Sequence, residues 1–247
     1  MGKLMALTLY QYELSPYADK VRRVLRLKGI AFDTVEVPVT SPGKYKHISP
    51  TGKFPSLVHD GKIIVDSTDI CRHLEAQFPE PRVAPDNPRD AALATILEDW
   101  ADEALYFYDL TMRNWPQNRD WFVDDLLHHV PNGFTRGLLA RLIPGALLKA
   151  TKAQGLGRKS QATVVADLAA QYDALAALVA DAGWLAGPRL STADIAVRVM
   201  LNVIERAAEG RALLEARPAL HDWARRVDAA APPEGLSITR AAGPAKG

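Results

Sequence analysis

The chain of 247 residues contains one cysteine, Cys71. That count excludes an internal disulfide, a cysteine-rich zinc site and a Cys-X-X-Cys redox pair. An excess of charge is missing as well. With 30 basic and 29 acidic residues the formal charge is +1, so no global field recruits nucleic acid or an anionic membrane. No uncharged stretch approaches the roughly 20 apolar residues that span a bilayer. Residues Met1 to Ala6 lead into a short apolar run, not the basic, apolar and small-residue succession of a signal peptide. The six histidines form no metal-ligand spacing; His128 and His129, read as neighbours on a helix, would direct their rings about 100° apart. These absences lead to the expectation of a cytoplasmic protein without a bound metal.

The first 80 residues alternate strand and helix signals. Ala6 to Tyr12 reads as a strand, and Ser15-Pro16 opens a helix whose Val21, Val24 and Leu25 share one face. Ser15 suits the N-cap and Pro16 the first helical position. Gly29 can end that helix in the left-handed conformation. Phe32 to Val37 alternates as a second strand, so strand, helix and strand form a βαβ unit with parallel strands. After a short helix expected near Lys44 to Ile48, Ser56 to His59 and Lys62 to Val65 flank Asp60-Gly61, a strong hairpin signal. Asp66-Ser67 then opens a helix through Ile70, Cys71, Leu74 and Phe78. Four prolines between Pro79 and Pro88 mark a linker. Beyond it the signals are helical: Arg89 to Asn114, Gln161 to Ala182, Thr192 to Ala208, Leu213 to Leu220 and His221 to Ala229. The expected organisation is an α/β domain over 1–80, a linker over 81–88, an all-α domain over 89–230 and a tail over 231–247.

Four separated motifs carry chemistry or folding information: Ser15-Pro16-Tyr17-Ala18-Asp19-Lys20-Val21-Arg22, Ser49-Pro50-Thr51-Gly52-Lys53-Phe54-Pro55-Ser56-Leu57, Asp66-Ser67 with His73-Leu74-Glu75, and Leu190-Ser191-Thr192-Ala193-Asp194-Ile195-Ala196. Together with the layout they resemble the glutathione transferase superfamily, over nearly the whole chain apart from about 115–160. The resemblance implies a thioredoxin-like N-terminal domain, an all-helical C-terminal domain, glutathione as co-substrate, a small hydrophobic electrophile as second substrate, and a homodimer. Ser15 stands where relatives carry a Ser, Tyr or Cys that serves the sulfur; its hydroxyl and the helix N-terminus would stabilise a thiolate. The same residue also reads as nothing more than a helix cap. Phe54-Pro55 matches the family's cis-proline bend, whose backbone pairs with the tripeptide. Asp66-Ser67 matches the Glu-Ser or Gln-Ser that holds the γ-glutamyl end, shortened here by one methylene. Ser191 to Asp194 forms a capping box, which assigns Asp194 to folding. Cys71 reads as a buried structural thiol.

Tyr10, Tyr12 and Tyr17 compete with Ser15 for the sulfur, Tyr12 and Tyr17 being the candidates for sulfur-pocket or alternative catalytic hydroxyls. Serine where some relatives have cysteine disfavours disulfide exchange and leaves conjugation, isomerisation or thiolytic ether cleavage. The alternative function is a non-catalytic glutathione- or ligand-binding module of the same fold. Trp100, Tyr106, Phe107, Tyr108, Arg113 and Trp115 are candidates for the electrophile pocket as well as for core. Residues 116–160 read as a helical insertion interrupted by Pro131 and Pro144. Three roles are open to it: a lid, a dimer surface, or contact with a membrane surface through its basic groups.

Overall fold

The computed structural model describes residues 7–131 and 133–233. The N-terminal leader and most of the expected tail lie outside them. A four-stranded mixed sheet forms from β1 (Leu7–Gln11), β2 (Asp33–Glu36), β3 (Ser56–His59) and β4 (Lys62–Val65), in the order β2-β1-β3-β4. β1 runs parallel to β2 and antiparallel to β3. In β1, Leu7 and Leu9 point into the core while Thr8 and Tyr10 are only half-buried, the period-two pattern of a sheet. Asp60 (φ 48°) and Gly61 (φ 86°) form the hairpin turn, with both central residues at positive φ as such a turn requires.

Helix α1 (Pro16–Leu27) connects β1 to β2, and α2 (Ser67–Gln77) follows β4. Gly29 ends the first of these at φ 65°. Val21, Val24, Leu25, Ile70, Cys71 and Leu74 close the core over the sheet, joined by Ile195 and Val199 from the second domain. Between β2 and β3 the expected helix near Lys44 to Ile48 is instead a single 3-10 turn, Pro42–Tyr45. Pro42 starts it early, and the following residues leave it in successive turns.

The second domain comprises α3 (Pro88–Trp100), α4 (Tyr106–Arg113), α5 (Pro116–Leu126), α6 (Phe134–Gln154), α7 (Gln161–Ala182), α8 (Thr192–Ile204), α9 (Ala208–Glu215) and α10 (Pro218–Ala230). Four expectations need correction here. The single helix over 89–114 is divided by a π-helical turn, Ala101–Leu105. α8 stops at Ile204, before the expected Ala208. The boundary expected at Leu220 falls at Ala216-Arg217, because Pro218 lacks the N–H to continue α9 and suits the first turn of α10. Pro144 does not interrupt α6, which runs through it for 21 residues.

α7 is long and apolar enough to cross a membrane by length and composition. Its Val164, Leu168, Tyr172, Leu175 and Val179 instead fill the core of the helical domain. Asp194 is fully buried at the start of α8 and accepts from the Ser191 N–H (2.9 Å) and hydroxyl (2.8 Å), from the Leu185 N–H (2.8 Å) and from Trp223 Nε1 (2.8 Å). The capping box thus also ties α8 to α10. Polar groups tie the linker down: Glu75 accepts from the N–H groups of Val83 and Ala84 and pairs with Lys28 Nζ at 2.6 Å. Arg23, buried, joins α1 to Asp228 at 2.7 Å and to the carbonyl of Ala231 at 2.9 Å.

Candidate functional site

A cleft of about 1300 Å³ opens between the two domains. Its N-terminal wall contains Tyr12, Ser15, Tyr17, Phe54, Pro55, Asp66 and Ser67, so Ser15 and the residues read from the sequence as holding the tripeptide line the same space, while Tyr10 lies outside it. The opposite wall comes from α3, the π-helical turn and α4, and Val39 and Leu126 also line the cleft.

Ser15 occupies the N-cap of α1 in extended conformation (φ −73°, ψ 125°). Its Oγ accepts from the Ala18 N–H at a long 3.5 Å. An oxygen that only accepts retains its own hydrogen for a ligand. The loop carrying it is held from below. Arg22 donates to Gln11 Oε1 at 2.7 Å and to the Glu13 carbonyl at 3.2 Å, while the Glu13 N–H donates to Glu36 Oε1 at 2.9 Å. Arg22 stands in the quoted Ser15 motif, but its positioning role was not read from the sequence.

The Phe54–Pro55 peptide is cis. Phe54 is buried, with its ring edge-on to Tyr12 at 5.5 Å. Ser49 Oγ donates to the Lys53 carbonyl at 2.6 Å and fixes the approach to that bend. Asp66 is the N-cap of α2 at φ 76°, ψ 132°, a positive-φ conformation outside the left-handed helical region. Its Oδ1 accepts from the N–H groups of Thr68 (2.9 Å) and Asp69 (3.3 Å). Ser67, nearly buried, sits at the first position of that helix, where the dipole favours an anion.

The two tyrosines differ. The Tyr17 hydroxyl donates to the Asp102 carbonyl at 2.7 Å, and its ring meets Tyr106 edge-on at 5.0 Å. Burial, with Tyr106 and Asp102 adding to it, pushes its phenol far above the usual range. That phenol is committed to the domain interface. Tyr12 is raised as well, by burial and then by Glu36. Of the aromatic set, Trp100, Tyr106 and Arg113 reach the cleft, whereas Tyr108 and Trp115 belong to the helical core and Phe107 packs against it.

Beneath the cleft floor lies a polar group that sequence reading missed. Lys20 Nζ, fully buried, lies 2.6 Å from Asp102 Oδ2, 3.0 Å from Glu98 Oε1 and 3.1 Å from Thr68 Oγ1. Two carboxylates facing one ammonium outweigh the burial that opposes its charge, so the lysine is held protonated. Its partners lie 78 and 82 positions away. A usable signal was the spacing of Glu98 and Asp102, four apart on one helix face. Cys71 lies close by, and burial pushes its thiol up to about 12.

The sequence-based expectation for His128 and His129 is also corrected. They stand in the turns after α5, not within a helix, and their ring centroids meet at 3.6 Å. His129 Nε2 lies 3.5 Å from Glu13 Oε2, so two histidines and one carboxylate gather beside the Ser15 loop with donor atoms within 4.8 Å of one another.

Comparison with known proteins agrees with this arrangement. Residues 9–82 match the model of the glutathione S-transferase N-terminal domain, and residues 150–226 match that of the C-terminal domain. The chain belongs to the glutathione S-transferase superfamily. It is 25% identical over 236 residues to an isoprene-epoxide glutathione S-transferase of a Rhodococcus strain, covering 90% of this chain and 97% of that one. It is 35% identical over 108 residues to protein LigF of a Sphingobium strain, covering 39% of this chain; the match spans only 41% of LigF. The fold superposes on a glutathione S-transferase III in apo form with a TM-score of 0.66 at 21% identity, covering 91% and 92% of the two chains. Neither domain model covers residues 83–149, which hold α3, α4, α5 and most of α6.

Proposed function

We propose that the protein is a glutathione-dependent transferase in which Ser15 activates the thiol for attack on a small hydrophobic electrophile. The convergence of Ser15, Phe54-Pro55 and Asp66-Ser67 on one interdomain cleft carries this reading. Glutathione brings a thiol, two carboxylates and an ammonium. In this reading the γ-glutamyl carboxylate meets Ser67 and the N-terminus of α2, and the ammonium meets Asp66. The backbone beside Pro55 pairs with the cysteinyl unit as an added strand would. The sulfur then lies at Ser15, whose hydroxyl donates to the thiolate while the α1 N-terminus adds partial positive charge.

The electrophile occupies the space between Leu14, Ile96, Trp100, Tyr106 and Leu126, where apolar side chains dominate. Asp99 and Glu103 on the same wall are exposed carboxylates, which favours a neutral over an anionic electrophile. A hydroxyl cannot form a mixed disulfide, so the reaction is addition of the thiolate to carbon, as conjugation, isomerisation or ether cleavage all begin. Exposed Ile63 and Val65 on β4, at the edge of the sheet, support a homodimer.

Incubation with glutathione and a panel of epoxides, aryl halides and aryl ethers tests this reading. Conjugate formation that falls in Ser15→Ala supports it. Tight glutathione binding without turnover on any member of the panel would replace it with the ligand-binding alternative.

A further inference from the structure

Residues 126–166 contain no acidic side chain, yet six basic ones stand between Arg136 and Lys159. In a chain with a formal charge of +1, that is a concentrated cationic segment. Most of it is α6, and α6 has two apolar faces. The inner one, Leu139, Ala140, Ile143 and Leu147, packs on Phe122, Val123, Leu127 and Val130. The outer one leaves Phe134 87%, Leu138 45%, Leu142 58% and Leu148 39% exposed. A helix packed on a core by one face ordinarily turns polar residues outward.

The basic groups divide along the same line. Arg136 pairs with Asp124 at 2.9 Å, Arg158 donates to the Lys152 carbonyl at 2.6 Å, and Lys159 pairs with Asp167 at 2.5 Å. Arg141, Lys149 and Lys152 are exposed and form no ion pair among the described residues. At 100° per residue these three and the four exposed apolar side chains fall within an arc of about 120°, opposite the packed positions. The outer face of α6 is therefore an apolar stripe interleaved with unpaired cations.

We propose that this face docks the protein on the surface of an anionic lipid bilayer. Phe134, Leu138 and Leu142 enter the boundary between headgroups and acyl chains, and Arg141, Lys149 and Lys152 meet lipid phosphates. The charge argues against a second copy of the chain as occupant. A two-fold contact through this face would bring two sets of three cations together without an acid. Duplex nucleic acid would match the cations but leave the apolar stripe without a partner. Docking is peripheral, because the long apolar helix α7 is committed to the core. The proposal does not depend on the reaction assigned to the cleft.

Flotation of the full chain with vesicles tests it. Recovery is expected with an equal mixture of phosphatidylglycerol and phosphatidylcholine, with loss at high salt and little recovery on phosphatidylcholine alone. The triple variant Arg141→Gln, Lys149→Gln, Lys152→Gln should lower vesicle affinity by roughly 100-fold, about fivefold per charge. Phe134→Ser with Leu142→Ser should lower it at least tenfold, with the melting temperature and glutathione binding unchanged, since both residues are exposed and neither lines the cleft. Absence of recovery on the anionic vesicles overturns the proposal, as does recovery that both variants leave intact. So does a dimer that Phe134→Ser dissociates, or retention of duplex DNA, when vesicles recover nothing.

Discussion

Replacing Lys20 by Met removes a buried cation that stands between two carboxylates. Lys20 Nζ lies 2.6 Å from Asp102 and 3.0 Å from Glu98, with no exposed side-chain surface on the lysine and 11% on each acid. Methionine fills a similar volume, so the loss is electrostatic, not a cavity. Removing one partner of a buried pair strands the other, at a cost of about 3–5 kcal/mol. For a chain of this size each kcal/mol shifts the melting temperature by roughly 2–4 °C, so the variant should melt about 6–20 °C lower at neutral pH. The pH dependence carries a definite sign. Burial already raises the Asp102 carboxyl above its unfolded value while Lys20 holds it down; without Lys20 it rises further, so the folded variant binds a proton more readily than wild type does. That contribution is fully present below the unfolded pKa, about 3.9, and is lost as pH rises through the folded one. The deficit relative to wild type should therefore shrink as pH falls from 7 toward 5. Asp102→Asn added to Lys20→Met should recover part of the loss at neutral pH. Thermal melts of the three proteins across that range decide the matter. A Lys20→Met variant within about 1 kcal/mol of wild type at pH 7 would refute the reasoning, because a buried unpaired carboxylate cannot be that cheap.

Three further expectations follow from individual side chains. Asp194→Ala strands the donors of Leu185, Ser191 and Trp223 and should cost about 3–5 kcal/mol by urea denaturation, while glutathione affinity of the fraction that remains folded stays unchanged. Cys71 should resist thiol reagents in the native protein and label fully on unfolding, because its thiol is buried and pushed up to about 12; Cys71→Ala should retain turnover. His73, in contact with His59 at 2.8 Å, has its pKa lowered by burial, then by His59 and Lys62. The unfolded chain therefore takes up the proton first, and stability should fall as pH drops below about 6.5; His73→Gln should flatten that decline in melts between pH 7 and 5.

Local signals made much of the N-terminal domain legible. The hairpin followed from Asp60-Gly61 between alternating runs, and the α1 and α2 starts followed from Ser15-Pro16 and Asp66-Ser67, whose chemistry acts within three residues. The long helix α7 was read at its observed bounds, Gln161–Ala182. What escaped has a common physical origin. The π-helical turn at Ala101–Leu105 adds one residue to a turn without changing the apolar pattern enough to show. Lys20 meets its carboxylates only after two domains pack. Pro144 reads as a breaker, but the helix tolerates it on a face that keeps solvent on one side. In the cleft, the residues proposed to hold glutathione were legible because motifs carry them; Arg22, Glu36 and Lys20, which hold the elements beneath them, were not.

The central claim is that Ser15 lowers the pKa of glutathione's thiol. An ultraviolet titration of thiolate absorbance with glutathione bound, in wild type and in Ser15→Ala, measures it directly. A hydrogen bond to a charged acceptor contributes about 1.5–3 kcal/mol, which corresponds to about 1–2 pKa units. The account predicts a bound thiol well below the free value of about 8.5 in the wild type and a rise of that size in the variant. Equal pKa values in the two proteins would contradict it.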